Sequence, residues 1–172
     1  MIEPKERSQI EALTLKTARA LGITWGPYHV GVKQEMEADL FSEQAVLCSV
    51  IPEACRISFN MLLAKGIPPE LAYFELWHEV GLIVRTMVEK GPEAFFHLIS
   101  PNALIGAEKG RKLLCDEHFV KNMRALLSEI ESGQFASEAA KTDVAELRAA
   151  TVARWQADAF GQTIEKMQKD RP

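Results

Sequence analysis

The chain has 172 residues, 47% of them apolar and 26% charged, an ordinary globular composition with enough apolar residues to build a core. Its formal net charge of -4 gives no electrostatic reason to expect nucleic acid or an anionic membrane as partner, so an anionic ligand must be held by local groups. The opening MIEPKERSQIEAL is charged, no run reads as the roughly 18 apolar residues of a membrane span, and a soluble protein is expected.

Residues 5–20 pattern as an amphipathic helix, with Ile10, Leu13, Leu15, Ala18 and Leu21 near one face and Gly22 as its stop. GPYHVGVKQEME follows, where Gly26, Pro27, Gly31 and the alternation of Val30 and Val32 favour strand or loop. From Asp39, a plausible N-cap, the pattern turns helical, and Pro52 is expected to break or kink it, leaving a second helix to about Lys65. Pro68, Pro69 and Glu70 start a long helix to about Glu89, closed by Lys90 and Gly91. A short helix, a non-helical ISPN and a stretch punctuated by Gly106 and Gly110 come next. Asp116 opens a helix whose Phe119, Met123, Leu126, Leu127 and Ile130 form an apolar stripe ended by Gly133, and 134–169 reads as charged helix. Six to eight helices and almost no strand signal predict an all-α helical bundle. Cys48, Cys55 and Cys115, an odd number without CxxC spacing, read as small buried thiols of a reduced, cytoplasmic protein.

Two acid pairs at helical spacing stand out, Asp39 with Glu43 and Glu75 with Glu79. Residues four apart on a helix point the same way, so a pair can reach one ion or two adjacent ones. Oxygen-only donors suit Mg²⁺, or Mn²⁺ by the same logic. The competing reading is a solvated helix face, with Asp39 as a cap. The second pair, set among Tyr73, Phe74, Leu76, Trp77, Val80 and Leu82, has little room for such a face, and burying an uncompensated carboxylate is costly. His78 points about 100° away from Glu79 on a helix and reads as a supporting or structural histidine.

DLFSEQAVLC at 39–48, followed by PELAYFELWHEVGLIV at 69–84, resembles the C-terminal domain of ketol-acid reductoisomerase, with its DLFGEQAVLCGG and PELAYFECLHE-type motifs. HLISPNALIG at 97–106 is similar to that family's YSISNTAEYG, and MRALLSEIESGQFA at 123–136 to its MKEVLKDIQSGEFA. The resemblance runs from about residue 14 to the C-terminus. It implies two Mg²⁺ ions held by Asp39, Glu43, Glu75 and Glu79, with Glu75 or Glu79 as proton relay and Ser100 on the substrate, and Ile99 and Ala103 lining its pocket. It also implies an intertwined homodimer, each active site taking the first acid pair from one chain and the second pair with Ser100 from the other. Residues 1–35 then read as an N-terminal helix and connecting segment, and 36–172 as the metal-binding all-α domain, with a single domain overall.

The family's N-terminal NADPH-binding Rossmann domain has no counterpart in these residues, which show no GxGxxG and no βαβ pattern, so no NADPH is expected on this chain. Ser42 replaces the Gly of FGEQ, Ser49 and Val50 the paired glycines, Leu76 and Trp77 a Cys-Leu, and Leu104 and Ile105 a Glu-Tyr. Kept ligands in altered surroundings imply kept metal chemistry on an altered small-molecule substrate. The leading expectation is a stand-alone Mg²⁺-dependent isomerase that carries out an α-ketol alkyl shift on a 2-hydroxy-3-keto acid or related acyloin. The alternatives are one half of a split enzyme served by a separate reductase chain, or a non-catalytic oligomerisation relic.

Overall fold

The computed structural model describes residues 4–26 and 28–170, and the chain divides into two compact units, Met1–Met36 and Glu37–Pro172. In the first unit, α1 spans Pro4–Ala20 and stops before Gly22, as its pattern predicts. Its Ile10 and Leu13, and Leu21 just beyond it, are exposed. The stretch read as strand or loop is loop, and α2 already begins within it, spanning Val32–Ser42. The early start has a local cause: the Gly31 N–H donates to Gln34 Oε1 at 3.0 Å and the Glu35 N–H to the Gly31 carbonyl at 3.0 Å. Asp39 therefore lies inside a helix and is not its cap.

The second unit is entirely helical in its regular elements, which makes the domain all-α as expected. Glu43–Leu47 form a wide π turn, closed where the Cys48 N–H donates to the Glu43 carbonyl at 3.0 Å, and α3 follows over Val50–Ala64. Pro52 breaks nothing, because it sits in the first turn of α3, where a missing N–H costs no helical bond. The interruption is the turn at Cys48 and Ser49. Then α4, Pro69–Ala72, runs through a second π segment, Tyr73–His78, into α5, Glu79–Leu98. The predicted stop at Gly91 is a kink within α5: Gly91 has φ 82° and ψ 162°, which a side chain would strain, and Pro92 restarts the helix.

Only Ile99 and Ser100 of the ISPN segment are extended, since Pro101 already opens α6, Pro101–Leu114. That helix runs straight through Gly106 and Gly110, a cost of about 1 kcal/mol each that a helix tolerates. Four aspartate or serine caps fix the later boundaries: Ser100 before α6, Asp116 before α7 (Glu117–Glu131), Asp143 before α9 (Val144–Ala157) and Asp158 before α10 (Ala159–Lys169). Between α7 and α9 lies the short α8, Gln134–Ala139, after Gly133.

The core gathers where α3, α4, the second π segment and α10 meet. Phe59 and Phe160 are fully buried with ring centroids 4.9 Å apart, Trp77 sets its edge on Phe160 at 5.4 Å, and Cys55, Ala72 and Tyr73 complete the cluster. Burying each phenylalanine contributes about 1.5–3 kcal/mol. A Cβ at Gly161 would run into the Trp155 carbonyl, so glycine is what lets α10 turn closely against the end of α9. Asp158 clamps this corner to α3, accepting from Arg56 Nη1 at 2.9 Å and from Asn60 Nδ2 at 3.1 Å as well as from the Phe160 N–H at 2.9 Å. Burial alone would raise the Asp158 pKa, but the Phe160 N–H, Arg56 and Asn60 together hold it below the usual aspartate value. Arg56 likewise lowers Glu53, which also meets Arg154 at 2.6 Å.

The rest of the unit buries little. In α7 only Ile130 of the predicted stripe is buried and its other members are half-buried, with α7 packing on the first π turn. Neither α5 nor α6 buries a single residue. Cys55 is buried as expected, whereas Cys48 and Cys115 are exposed, because each falls at a helix end. Val32–Ala64 is long and apolar enough to cross a membrane by length and composition, which the sequence reading overlooked; the same test is passed by core helices of other proteins.

Candidate metal and substrate site

Both acid pairs are built around π turns. Asp39 is near the end of α2 and Glu43 opens the first wide turn; Glu75 lies inside the second and Glu79 follows it. A π turn inserts one residue into an α-helix and slips its face by one position, so the plain i,i+4 geometry of the sequence reading does not apply unmodified. Such turns recur at functional sites because they re-aim side chains that a regular helix would place elsewhere. Nothing in the composition signals them.

All four carboxylates are exposed, which removes the desolvation argument that first marked the second pair. None of the four makes a hydrogen bond or ion pair through its carboxylate with another described residue. Their oxygens are thus free to accept a cation, and their chemistry suits a hard one. The chain does not bring the pairs together, however: among the described residues no three His, Cys, Asp or Glu side chains are placed to hold a metal ion.

Ser100 caps α6, its Oγ accepting from the Ala103 N–H at 3.2 Å, which fixes Ser100 and Ala103 in one turn. The hydroxyl keeps its own proton to donate. Ser100 and Ala103 are exposed and Ile99 is half-buried. His78 is exposed and meets the Phe74 ring edge-on at 5.6 Å, a packing role in this chain. Sequence reasoning passed over Gln44, next to Glu43, whose Nε2 is buried without an acceptor, the one such side-chain atom among the described residues. Its only sequence signal is a polar residue inside an apolar run.

Residues 32–170 match the family described as ketol-acid reductoisomerase, C-terminal domain, a span that contains all seven candidate residues. A ketol-acid reductoisomerase (NADP(+)) of Mycobacterium ulcerans is 40% identical over 129 residues, covering 74% of this chain and 39% of the relative. That of Methanosphaera stadtmanae is 38% identical over 127 residues, covering 73% and 38%. The solved structure of an NADH-preferring ketol-acid reductoisomerase from an uncultured archean superposes with a TM-score of 0.77 at 28% identity, over 83% of this chain and 44% of that one. The chain thus spans about two-fifths of the length of the curated relatives it matches. With its motifs, its helical architecture and this match in agreement, the chain belongs to the ketol-acid reductoisomerase family, as a version of its C-terminal helical domain.

Proposed function

We propose that this chain catalyses the isomerase half of the family's chemistry, an α-ketol alkyl shift on a 2-hydroxy-3-keto acid or related acyloin, at a Mg²⁺ site shared between two copies. The observation that carries the reading is the pair of π turns, at each of which stand two exposed carboxylates that, among the described residues, have no ion-pair partner and do not converge. In the shared site, Asp39 and Glu43 of one copy face Glu75 and Glu79 of the other. Two Mg²⁺ ions, or Mn²⁺, would supply charge stabilisation for the two substrate oxygens.

The rearrangement is redox-neutral, so it calls for no hydride. The bond from the hydroxyl-bearing carbon to its alkyl group breaks as that group bonds to the adjacent carbonyl carbon; the hydroxyl proton leaves and the former carbonyl oxygen gains one. Glu75 or Glu79 takes the first proton and returns it. Ser100 donates to the substrate carboxylate, while Ile99 and Ala103 bound the migrating group.

The surface of the chain supports the shared arrangement. Leu82, Ile83, Val84, Val88, Leu104 and Ile105 of α5 and α6 are among the exposed apolar side chains. A second copy of the chain covering them forms the homodimer. Covering of Val32–Ala64 in the same way makes a membrane unnecessary for its apolar character, and the exposed thiols of Cys48 and Cys115 suit a reducing cytoplasm. The product would serve branched-chain amino-acid synthesis or a specialised pathway.

One observation favours a second reading, a half-enzyme completed by a nicotinamide-binding chain: the relatives named for NADP(+) are about two and a half times longer than the matched part. Incubation of a 2-hydroxy-3-keto acid with Mg²⁺ and no NADPH, followed by chromatography of the products, separates the two. Isomer formation that falls by about 10²–10³-fold in Glu75→Gln, with helicity unchanged, supports the first reading. Turnover that begins only when NADPH and a reductase chain are added supports the second. No turnover and no Mg²⁺ binding by calorimetry rules out both.

A further inference from the structure

Helices α6 and α7 are joined through Cys115 and Asp116, and an open cavity of about 800 Å³ lies there, within the range of small-molecule sites. Four permanent cations line it: Arg111 and Lys112 from the last turn of α6, Lys121 and Arg124 from one face of α7. Their gathering is unexpected in a chain of net charge -4. Arg111 is engaged, its Nη2 lying 2.8 Å from Glu108 Oε2. Lys121 and Arg124 make no ion pair among the described residues, while Lys112 lies near enough to Glu108 to help Arg111 lower its pKa.

Two acids also line the cavity. Asp116 is occupied as the cap of α7, accepting from the Phe119 N–H at 2.9 Å, which leaves Glu117 as the acid that offsets the cations. Because Asp116 already fills the end of α7, the helix terminus itself offers an anion little. The attraction comes from exposed basic side chains gathered around one open concavity. His118 adds a ring N–H donor, and Val120 with Cys115 an apolar wall.

We propose that this cavity is a binding site for a small polyanion, a phosphorylated or polycarboxylate metabolite carrying at least two clustered negative charges, separate from the carboxylate site. Lys121 and Arg124 are three residues apart on α7 and grip one end of the ligand, and Lys112 the other. The site is independent of the metal reading, since it shares no residue with it.

The exposed thiols provide the test. Cys115 lines the cavity, Cys48 does not, and both are exposed. The full chain, with Mg²⁺ present, is alkylated with iodoacetamide, and the rate at each cysteine is followed by peptide mass spectrometry. Inorganic pyrophosphate or citrate at ten times its dissociation constant is expected to slow Cys115 about tenfold and leave Cys48 unchanged. Stronger protection by pyrophosphate assigns a phosphorylated ligand, and stronger protection by citrate a polycarboxylate. Protection should vanish in Lys121→Glu/Arg124→Glu, or weaken in Lys121→Gln if the double variant loses helicity. Equal slowing by sodium chloride at matched ionic strength, equal slowing of Cys48, a Cys115 that is unreactive without ligand, or protection that survives the substitutions would each overturn the proposal.

Discussion

The corner where α3, α4 and α10 meet and the arm formed by α5 and α6 are built from similarly apolar sequence but end in opposite states. At the corner, Phe59 and Phe160 are fully buried, Trp77 and Trp155 pack on Phe160, and Asp158 ties the helices together with hydrogen bonds to Arg56 and Asn60. Along the arm no residue is buried, although Leu82, Ile83, Val84, Val88, Leu104 and Ile105 would fill a core. The corner is closed by residues about a hundred positions apart, whereas none of the described residues of the same unit buries the arm. Apolar content alone therefore does not locate a core. Of the candidate acids, Glu75 and Glu79 sit between the two regimes, on the helix that joins corner to arm.

The contrast breaks most sharply at Phe160. Phe160→Ala is expected to cost about 3–5 kcal/mol in urea unfolding, because it removes the ring that Phe59, Trp77 and Trp155 all touch; a loss under about 1 kcal/mol would mean that the corner does not anchor the unit. The arm is tested by Val88→Arg. Val88 is 67% exposed, so in a self-sufficient chain the change falls within about 0.5 kcal/mol. If a second copy covers the arm, burying that unpaired charge weakens association by about 3 kcal/mol, seen as a shift to monomer in sedimentation velocity at unchanged helicity.

A smaller effect sharpens the corner itself. The folded Asp158 pKa is depressed, so its contribution is present above the ordinary aspartate value near 4 and is lost as pH falls through the lowered folded value. Thermal melts should therefore show a loss below about pH 4 that is reduced in Asp158→Asn. Asp158→Ala, which removes both the cap and the clamp, should cost about 2 kcal/mol at neutral pH.

Much of this was legible before any coordinates. The all-α class, the helix starts at Pro69 and Asp116, the stops at Gly22 and Gly133 and the break at Gly91 follow from residues that act through their own backbone. Asp39 as a cap was misread because a glycine and a glutamine upstream satisfy the first N–H groups of α2 earlier. Gly106 and Gly110 were read as punctuation, but a glycine inside a helix only lowers its propensity. The π turns were not legible: they depend on which carbonyl each N–H reaches, and no residue type enforces that choice.

Sequence by itself determined the all-α class, the helix boundaries set by Pro69, Asp116, Gly22 and Gly133, and the identity of the candidate donors, Asp39, Glu43, Glu75, Glu79 and Ser100, because these are properties of single residues and their near neighbours. Tertiary structure alone decided that the four carboxylates lie exposed on wide turns without converging, that the arm buries nothing, and that Lys112, Lys121 and Arg124 share a cavity beside Cys115. The first two outcomes depend on how distant segments do or do not fold back on one another, and the third on the backbone turn at Cys115 and Asp116, none of which periodicity along a chain encodes.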